Sequence, residues 1–381
     1  MLSTTTENQE LLSDQCQVDL IKVDEQQQIR LKNTWSCKRQ FFHEKIQDDA
    51  VKQIIDNPLL LTLLRLVFEE TGEAPVNRAE LYQQGLSILL RQWNNKHDDG
   101  NDAYKLLSLQ QKEDLLSYIA QKTFAEGEYF FKQQQLEQYI AEYLKSVSAK
   151  TCATALKCQS KAVLTSMQAQ HAIFTEWTKG VYAFSVLSFH EYLTAKAIAQ
   201  IAAPLKLEQA IRQLVAHIAD ERWHQVLFLA AGMLPNADYL LLLMKHEIDS
   251  LIACETALQP FLSWLEEKSI SEQSIYKPEA TRAFYIEDIL QLNYEISTTI
   301  DANLAFDLGY NSFYVDEHTC NLQNCRFSER QKQALQQYYT LNKLLLDCID
   351  HARCVTASIR EELKQDLFAP STVILDRVAI A

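Results

Sequence analysis

The chain has 381 residues, of which 47% are hydrophobic, and a formal net charge of -14 at pH 7. This length exceeds that of an ordinary single domain, so we expect about two or three packed units. Only seven glycines and seven prolines occur, which indicates that helices dominate. The negative charge argues against a general nucleic-acid binder, because neutralisation of phosphates supplies most sequence-independent affinity.

The N-terminal residues carry no basic start followed by an apolar run, so we expect neither a secretory signal nor a transit peptide. Two apolar stretches, 58–68 and 226–244, are interrupted by Arg65 and by residues 235–238 (PNAD), so neither is expected to span a bilayer. Nine cysteines without a Cys-x-x-Cys pair suit a reducing compartment. We therefore expect a cytoplasmic protein with no membrane partner.

The predicted structure begins with a weakly structured lead-in over residues 1–50, where periodicity is weak and Gln, Asp and Glu are frequent. A first helix is predicted to begin at Pro58, because a proline at the first helical position loses no hydrogen bond. A second follows Asn77, a capping residue with Glu80 three positions on. We assign these two helices to one helical domain, residues 51–97.

A polar, glycine-containing stretch after residue 97 predicts a domain boundary. Residues 171–184 consist of two short apolar runs around Gly180, a pattern that predicts a β-hairpin, and a helix resumes at about Ser188. Three helices, a hairpin and a helix are typical of a winged-helix unit, here residues 104–203. The three helices before the hairpin are predicted at 108–125, 133–145 and about 154–168.

From residue 205 onward the pattern is helical only. Ser328 and Gln331 form a capping box that opens one of the last helices. The predicted fold class is mostly α: a helical domain, a winged-helix unit with one β-hairpin, and a C-terminal α-helical array divided into residues 205–310 and 311–381. The other helices are predicted at 207–234, 237–250, 257–267 (where Pro260 weakens the pattern) and 278–308.

Several segments together resemble one known family. Residues 57–64 (NPLLLTLL) and 78–82 (RAELY) resemble the helical segment just after the nucleotide-binding core of NACHT-type signalling NTPases. Residues 184–195 (FSVLSFHEYLTA) resemble the winged-helix signature of that family. The remaining similar segments are 223–232, in the helical region that follows, and about 282–285 and 327–362, which resemble the NACHT C-terminal helical domain of bacterial members.

This resemblance implies a switch, in which an upstream core binds ATP or ADP and the helical and winged-helix units close over the nucleotide. The sequence contains no Gly-x-x-x-x-Gly-Lys-Ser/Thr phosphate loop, so we expect no enzyme activity and no cofactor in this chain alone. We expect a non-catalytic regulatory and oligomerisation module of a NACHT-family signal-transduction ATPase. It would be a fragment or split product that acts with an NTPase core in trans or by self-association, with bacterial defence as its setting.

The resemblance also implies roles at particular positions. Pro58 matches the proline that packs near the adenine in such proteins, so it is a candidate adenine-side contact with a core in trans; its other interpretation is a helix-starting proline. A winged-helix histidine reaches the nucleotide phosphate in many relatives, but Val186 stands at that position and has no donor. His190 stands at the common glutamine position, and we assign it no phosphate role.

A metal site has weaker support in the sequence. Zinc would accept the ligand types present, but zinc ligands usually occur in pairs two to four residues apart in a tight loop, and free cysteines are ordinarily core residues. We therefore expect no metal, and we find no catalytic motif such as Gly-x-Ser-x-Gly. The side chains in question are His318, Cys320, Cys325, Cys348, His351 and Cys354.

A winged-helix DNA-binding regulator is the alternative function, because helix-turn-helix relatives place one helix in the major groove. Here that helix offers only Lys196 as a cation and the hairpin only Lys179, too few to neutralise several phosphates. A packing role is the stronger expectation. If an NTPase core docks on this chain, apolar surface should be exposed at residues 58–68 and on the winged-helix unit.

Overall fold

A computed structural model describes residues 58–94, 107–147, 153–170, 173–270, 276–301, 304 and 327–369. The chain divides into two compact units, residues 1–74 and 75–381. The fold is mostly α-helical with one small sheet, which confirms the predicted class. The predicted lead-in over residues 1–50 and the predicted boundary after residue 97 lie outside the described residues.

In the first unit, the described structure is helix α1, Pro58–Thr71, which begins at the predicted proline. Its apolar side chains recur at helical spacing, and five of them are buried, so the prediction of exposed apolar surface is wrong for these positions. Gly72 follows the helix with a φ of 77° and donates its N–H to the Phe68 carbonyl. The five buried side chains are Leu60, Leu63, Leu64, Val67 and Phe68.

The second unit begins with α2, Arg78–Asn94, and its cap has the predicted chemistry. Asn77 Oδ1 accepts a hydrogen bond from the Glu80 N–H at 2.9 Å. The Glu80 carboxylate in turn accepts from the Val76 N–H at 2.7 Å. The first bond satisfies a backbone donor that the first helical turn leaves without a partner, and the second ties the residue before the cap to the helix.

The winged-helix elements follow in the predicted order, with one strand that the sequence analysis missed. A two-residue strand, β1 (Phe131–Lys132), pairs with the second strand of the hairpin. With the hairpin strands β2 (Phe174–Thr178) and β3 (Val181–Phe184) it forms an antiparallel sheet of order β1-β3-β2. Gly180 forms the hairpin turn with a φ of 75°, a conformation that favours glycine. The elements are α3 (Leu109–Ala125), β1 (Phe131–Lys132), α4 (Gln133–Val147), α5 (Ala153–Gln170), β2 (Phe174–Thr178), β3 (Val181–Phe184) and α6 (Leu187–Ala199).

The region predicted as one helix over 207–234 consists of two helices. The first ends at Val215, and Asp220 starts a short 3-10 turn ahead of the second, because its side chain accepts from the Arg222 N–H. Pro260 lies in the first turn of its helix, where proline breaks no helical hydrogen bond. The elements here are α7 (Pro204–Val215), the 3-10 turn Glu221–Trp223, α8 (His224–Met233), α9 (Asp238–Ala253), the 3-10 turn Thr256–Leu258 and α10 (Gln259–Ile270).

The prediction of one helix over 278–308 is also wrong. Gln291 and Tyr294 have φ values of 56° and 53°, a left-handed conformation that ends one helix before the next begins. The predicted Ser328–Gln331 capping box is present at the start of the long helix α13 (Glu329–His351), which packs against α8, α9 and α11 (Pro278–Leu290). The helices are α11 (Pro278–Leu290), α12 (Glu295–Ile300), α13 (Glu329–His351) and α14 (Ala357–Gln365).

Candidate functional site

Helix α6 carries the winged-helix signature and lies between other helices of the second compact unit, residues 75–381. It packs against α3 on one side and α8 on another, and eight of its thirteen residues are buried. A helix that reads the major groove must present a row of side chains to solvent. Helix α6 presents no such row, because its partners cover it.

Lys196, the cation that the DNA-binding alternative relied on, is buried. Its Nζ forms an ion pair with the Glu113 carboxylate of α3, and both side chains are almost fully enclosed. Glu113 also accepts a hydrogen bond from Ser87 Oγ of α2 at 2.8 Å. One carboxylate therefore joins three helices, and Lys196 is not available to a phosphate.

His190, six residues before Lys196 on the same helix, is a core side chain. Its Nε2 lies 2.9 Å from Thr123 Oγ1 and 3.1 Å from the Ala120 carbonyl. Thr123 Oγ1 donates to the Ile119 carbonyl, so it accepts at His190, and Nε2 carries the proton. The imidazole stacks on the Phe184 ring at 4.5 Å, and burial lowers the pKa of His190 to about 4, which keeps the ring neutral.

Val186, at the position where relatives carry the phosphate-reaching histidine, caps α6 without a side-chain hydrogen bond. Its neighbour Leu187 is 51% exposed. One turn on, burial raises the pKa of the Glu191 carboxyl to about 7, and no described residue pairs with that carboxylate. The start of α6 thus offers two apolar side chains and an unpaired carboxyl, none of which is suited to an anion.

Exposed apolar surface does occur on the winged-helix unit, as expected of a docking module. Besides Leu187, it includes Phe130 and Trp177, which are 57% and 69% exposed. Their ring centroids lie 5.9 Å apart. This pair is on the sheet, away from the buried side chains of α6.

Helix α8 connects the winged-helix elements to the C-terminal array, since it packs against α2, α6 and α13. A Cβ added at Gly232 would lie 3.3 Å from the Ala79 Cβ and 3.7 Å from the His351 carbonyl oxygen. The glycine therefore permits close approach of three chain segments. It belongs to the segment 223–232 that the sequence analysis singled out.

Two buried cations bind the last residue of α14 and the residues that follow it. Lys245 Nζ binds the Asp249 carboxylate and donates to the Ala369 carbonyl at 2.7 Å. Arg282 donates to the Leu367 carbonyl at 2.9 Å and to the Gln365 carbonyl. Positive charge is favourable at a helix C-terminus, where carbonyl groups lack helical partners. Burial nevertheless lowers the pKa of both cations.

The other sequence candidates are only partly within the described structure. The side chain of Pro58 is not among the described ones, so its adenine-side role stays a prediction. His318, Cys320 and Cys325 also lie outside the described residues. Cys348 is buried, which raises the pKa of its thiol, and Cys354 is exposed. In the described ranges, no three potential ligands cluster for a metal ion.

Comparison with known families gives two matches. The model for a winged helix-turn-helix domain C-terminal to NACHT matches residues 78–198, which run from α2 to α6. The model for NACHT C-terminal Helical domain 2 matches residues 311–370, which include α13 and α14. Neither model is that of the NTPase core. No curated protein and no solved structure matches the chain. Among the described helices, none combines the length and apolarity needed to cross a membrane.

Proposed function

Because the chain carries the winged-helix domain and the C-terminal helical domain 2 that accompany NACHT modules, we propose that it is a non-catalytic regulatory and oligomerisation module of a NACHT-family signal-transduction ATPase. It acts with an NTPase core, on another polypeptide or elsewhere in the same one. ATP or ADP belongs to that core. Cytoplasmic signalling in bacterial defence is the proposed setting.

The closed packing of α6 is the observation that supports this proposal best. The helix is enclosed by α3 and α8, and its cation is neutralised by Glu113. A winged-helix unit arranged in this way supports packing between domains rather than readout of DNA bases. The DNA-binding alternative therefore loses the helix and the cation from which it was argued, α6 and Lys196.

Relatives with a histidine at the position of Val186 contact the nucleotide phosphate through it, and this module is proposed to sense nucleotide in another way. Val186 supplies no donor, and His190 is neutral and committed to Thr123 and Ala120. We therefore propose that this unit responds to the core through apolar contact, at Leu187 and its neighbours, rather than through a bond to phosphate. Pro58 remains the proposed adenine-side residue.

In the experiment, the full chain is mixed with the NACHT NTPase core whose gene lies nearest to the gene of this chain. The ATPase rate and oligomeric state of the core are measured with and without the chain. We expect the chain to bind the core and to change its ATPase rate. A Leu187→Asp variant should weaken this effect, whereas Leu205→Asp, at a 77% exposed leucine on α7, should not. A core that neither binds nor responds would contradict the proposal.

A further inference from the structure

Helix α6 carries two charged side chains, Glu191 and Lys196, and their surroundings differ. Lys196 is paired with Glu113. Glu191 is partly buried, but its carboxylate has neither a hydrogen-bond partner nor an ion-pair partner in the part of the chain that the structure describes. It stands at the fifth position of the helix, beyond the first turn in which the helix dipole stabilises negative charge. The carboxylate has therefore lost hydration without gaining a compensating charge.

The elements that pack against α6 do not supply the missing charge. They are α2, α3, α7, α8 and strand β3. Burial alone raises the pKa of the Glu191 carboxyl to about 7, so no cation on these elements acts on it. His224, the titratable group of α8, contacts the Ile218 carbonyl instead. The lysines and arginines on these elements are Arg78, Arg91, Lys112, Lys122, Lys206 and Arg212.

Glu191 lies beside the exposed leucine that the proposed function uses. Residues four apart are neighbours on one face of a helix, so Glu191 is adjacent to Leu187, which is 51% exposed. Val186, the extended residue that caps α6, is partly exposed as well. This surface combines apolar side chains with a poorly hydrated carboxyl. It fits a partner that brings an apolar contact and a cation together.

The net charge of the chain selects the kind of partner. At -14, a second copy would repel the first, whereas a basic contact surface would be attracted. We propose that a lysine or arginine of the NTPase core pairs with Glu191 when the core docks on Leu187. This inference rests on the proposed function and adds the charge that the core must bring to the start of α6.

Pairing of this kind couples docking to the release of a proton. In the free chain at pH 7, about half of the Glu191 carboxyls hold a proton, because their pKa is about 7. A cation beside the carboxyl favours its ionised form, so the proton passes to the solvent as the complex forms. The core should therefore bind more tightly as the pH rises through 7.

Isothermal titration calorimetry of the full chain with the same NACHT core tests the inference. We expect the dissociation constant to be about tenfold higher at pH 6 than at pH 8, because the carboxyl must first lose its proton at the lower pH. Titrations at pH 7 in buffers of different ionisation enthalpy should show the release of about half a proton per complex.

Three variants separate the charge of Glu191 from its shape, and each is compared with the unchanged chain at the same pH so that titrations within the core cancel. Glu191→Gln resembles the protonated carboxyl, so at pH 8 it should bind as weakly as the unchanged chain does at pH 6, without releasing the proton. Glu191→Lys should bind more weakly still, since it places a cation against a cation. Glu221→Gln, at an exposed carboxylate outside α6, should keep the affinity and the pH dependence. Circular dichroism melting establishes that each variant is folded.

A Glu191→Gln variant that binds the core as tightly as the unchanged chain at pH 8 would overturn the inference, and so would a Glu191→Lys variant that binds at least as tightly as Glu191→Gln. The proposed function would stand in either case, provided that the core still binds and that Leu187→Asp still weakens its response. A core that does not bind the unchanged chain would contradict both proposals.

Discussion

Lys196 and Glu113, 83 residues apart in sequence, form an ion pair enclosed between α6 and α3. Removing one partner of a buried pair is costly because the other charge is left without compensation. The Ser87 hydroxyl on Glu113 extends the pair to α2. The winged-helix unit is therefore sensitive to the loss of either partner alone, and the pair keeps Lys196 from contact with nucleic acid.

Replacing Lys196 with methionine should lower the free energy of unfolding by about 3–5 kcal/mol, because Glu113 stays buried and charged. The double variant Lys196→Met/Glu113→Gln should recover much of this loss, since glutamine still accepts from Ser87. Urea denaturation of the single and double variants measures both effects. Lys179→Met, at an exposed lysine, is the control, and an equal cost for the two lysine variants would contradict the buried pair.

The folded-state pKa of His190, about 4, lies below its ordinary value of 6.5. The folded protein therefore binds fewer protons than the unfolded chain between these pH values, and stability falls as the pH drops through this window. Relative to a His190→Gln variant, which does not titrate, the unchanged chain should lose about 3 kcal/mol across the window. Urea denaturation of both proteins at pH 7 and pH 4 measures the difference in the free energy of unfolding. If this free energy changed equally with pH in the two proteins, His190 would have an ordinary pKa in the folded state.

Glu191 should have the opposite pH dependence. Burial raises the pKa of its carboxyl from 4.5 to about 7, so the folded state holds a proton that the unfolded chain releases, and stability falls as the pH rises through this window. Glu191→Gln should therefore raise the melting temperature at pH 8 and have little effect at pH 4. Glu221→Gln, at an exposed carboxylate, is the control. An unchanged melting temperature at pH 8 would show that another charge already compensates Glu191.

Gly232→Val should destabilise the second unit, since even a Cβ at this position lies 3.3 Å from the Ala79 Cβ. Overpacking costs about 1–3 kcal/mol, and the higher helix propensity of valine relative to glycine offsets only a small part of this cost. Met233→Val, at the adjacent half-buried position, should cost less. Thermal unfolding of both variants measures this. Equal stability of the two would mean that α8 moves aside without cost.

Local signals in the sequence predicted much of the fold. Capping residues Ser328 and Asn77 set helix starts because their side chains bond to backbone groups a few residues away. The hairpin turn at Gly180 has a similarly local cause. Such interactions do not depend on the tertiary structure, so their patterns are visible in a single sequence.

Features that depend on tertiary contacts were not predictable in the same way. Strand β1 is two residues long and forms only by pairing with β3. Gln291 and Tyr294 adopt the left-handed conformation, but neither is a glycine, so the sequence does not indicate it. Within the candidate site, Val186 and His190 were identified through the winged-helix signature. The partners of His190 and Lys196 come from another helix, so their chemistry could not be predicted from the sequence.

Isothermal titration calorimetry of the purified full chain with magnesium ATP tests the central claim most directly. The claim is that the chain is a regulatory module and that the nucleotide binds to an NTPase core outside the residues described. We expect no saturable heat with magnesium ATP and none with duplex DNA. Tight, magnesium-dependent binding of ATP by this chain alone would contradict it.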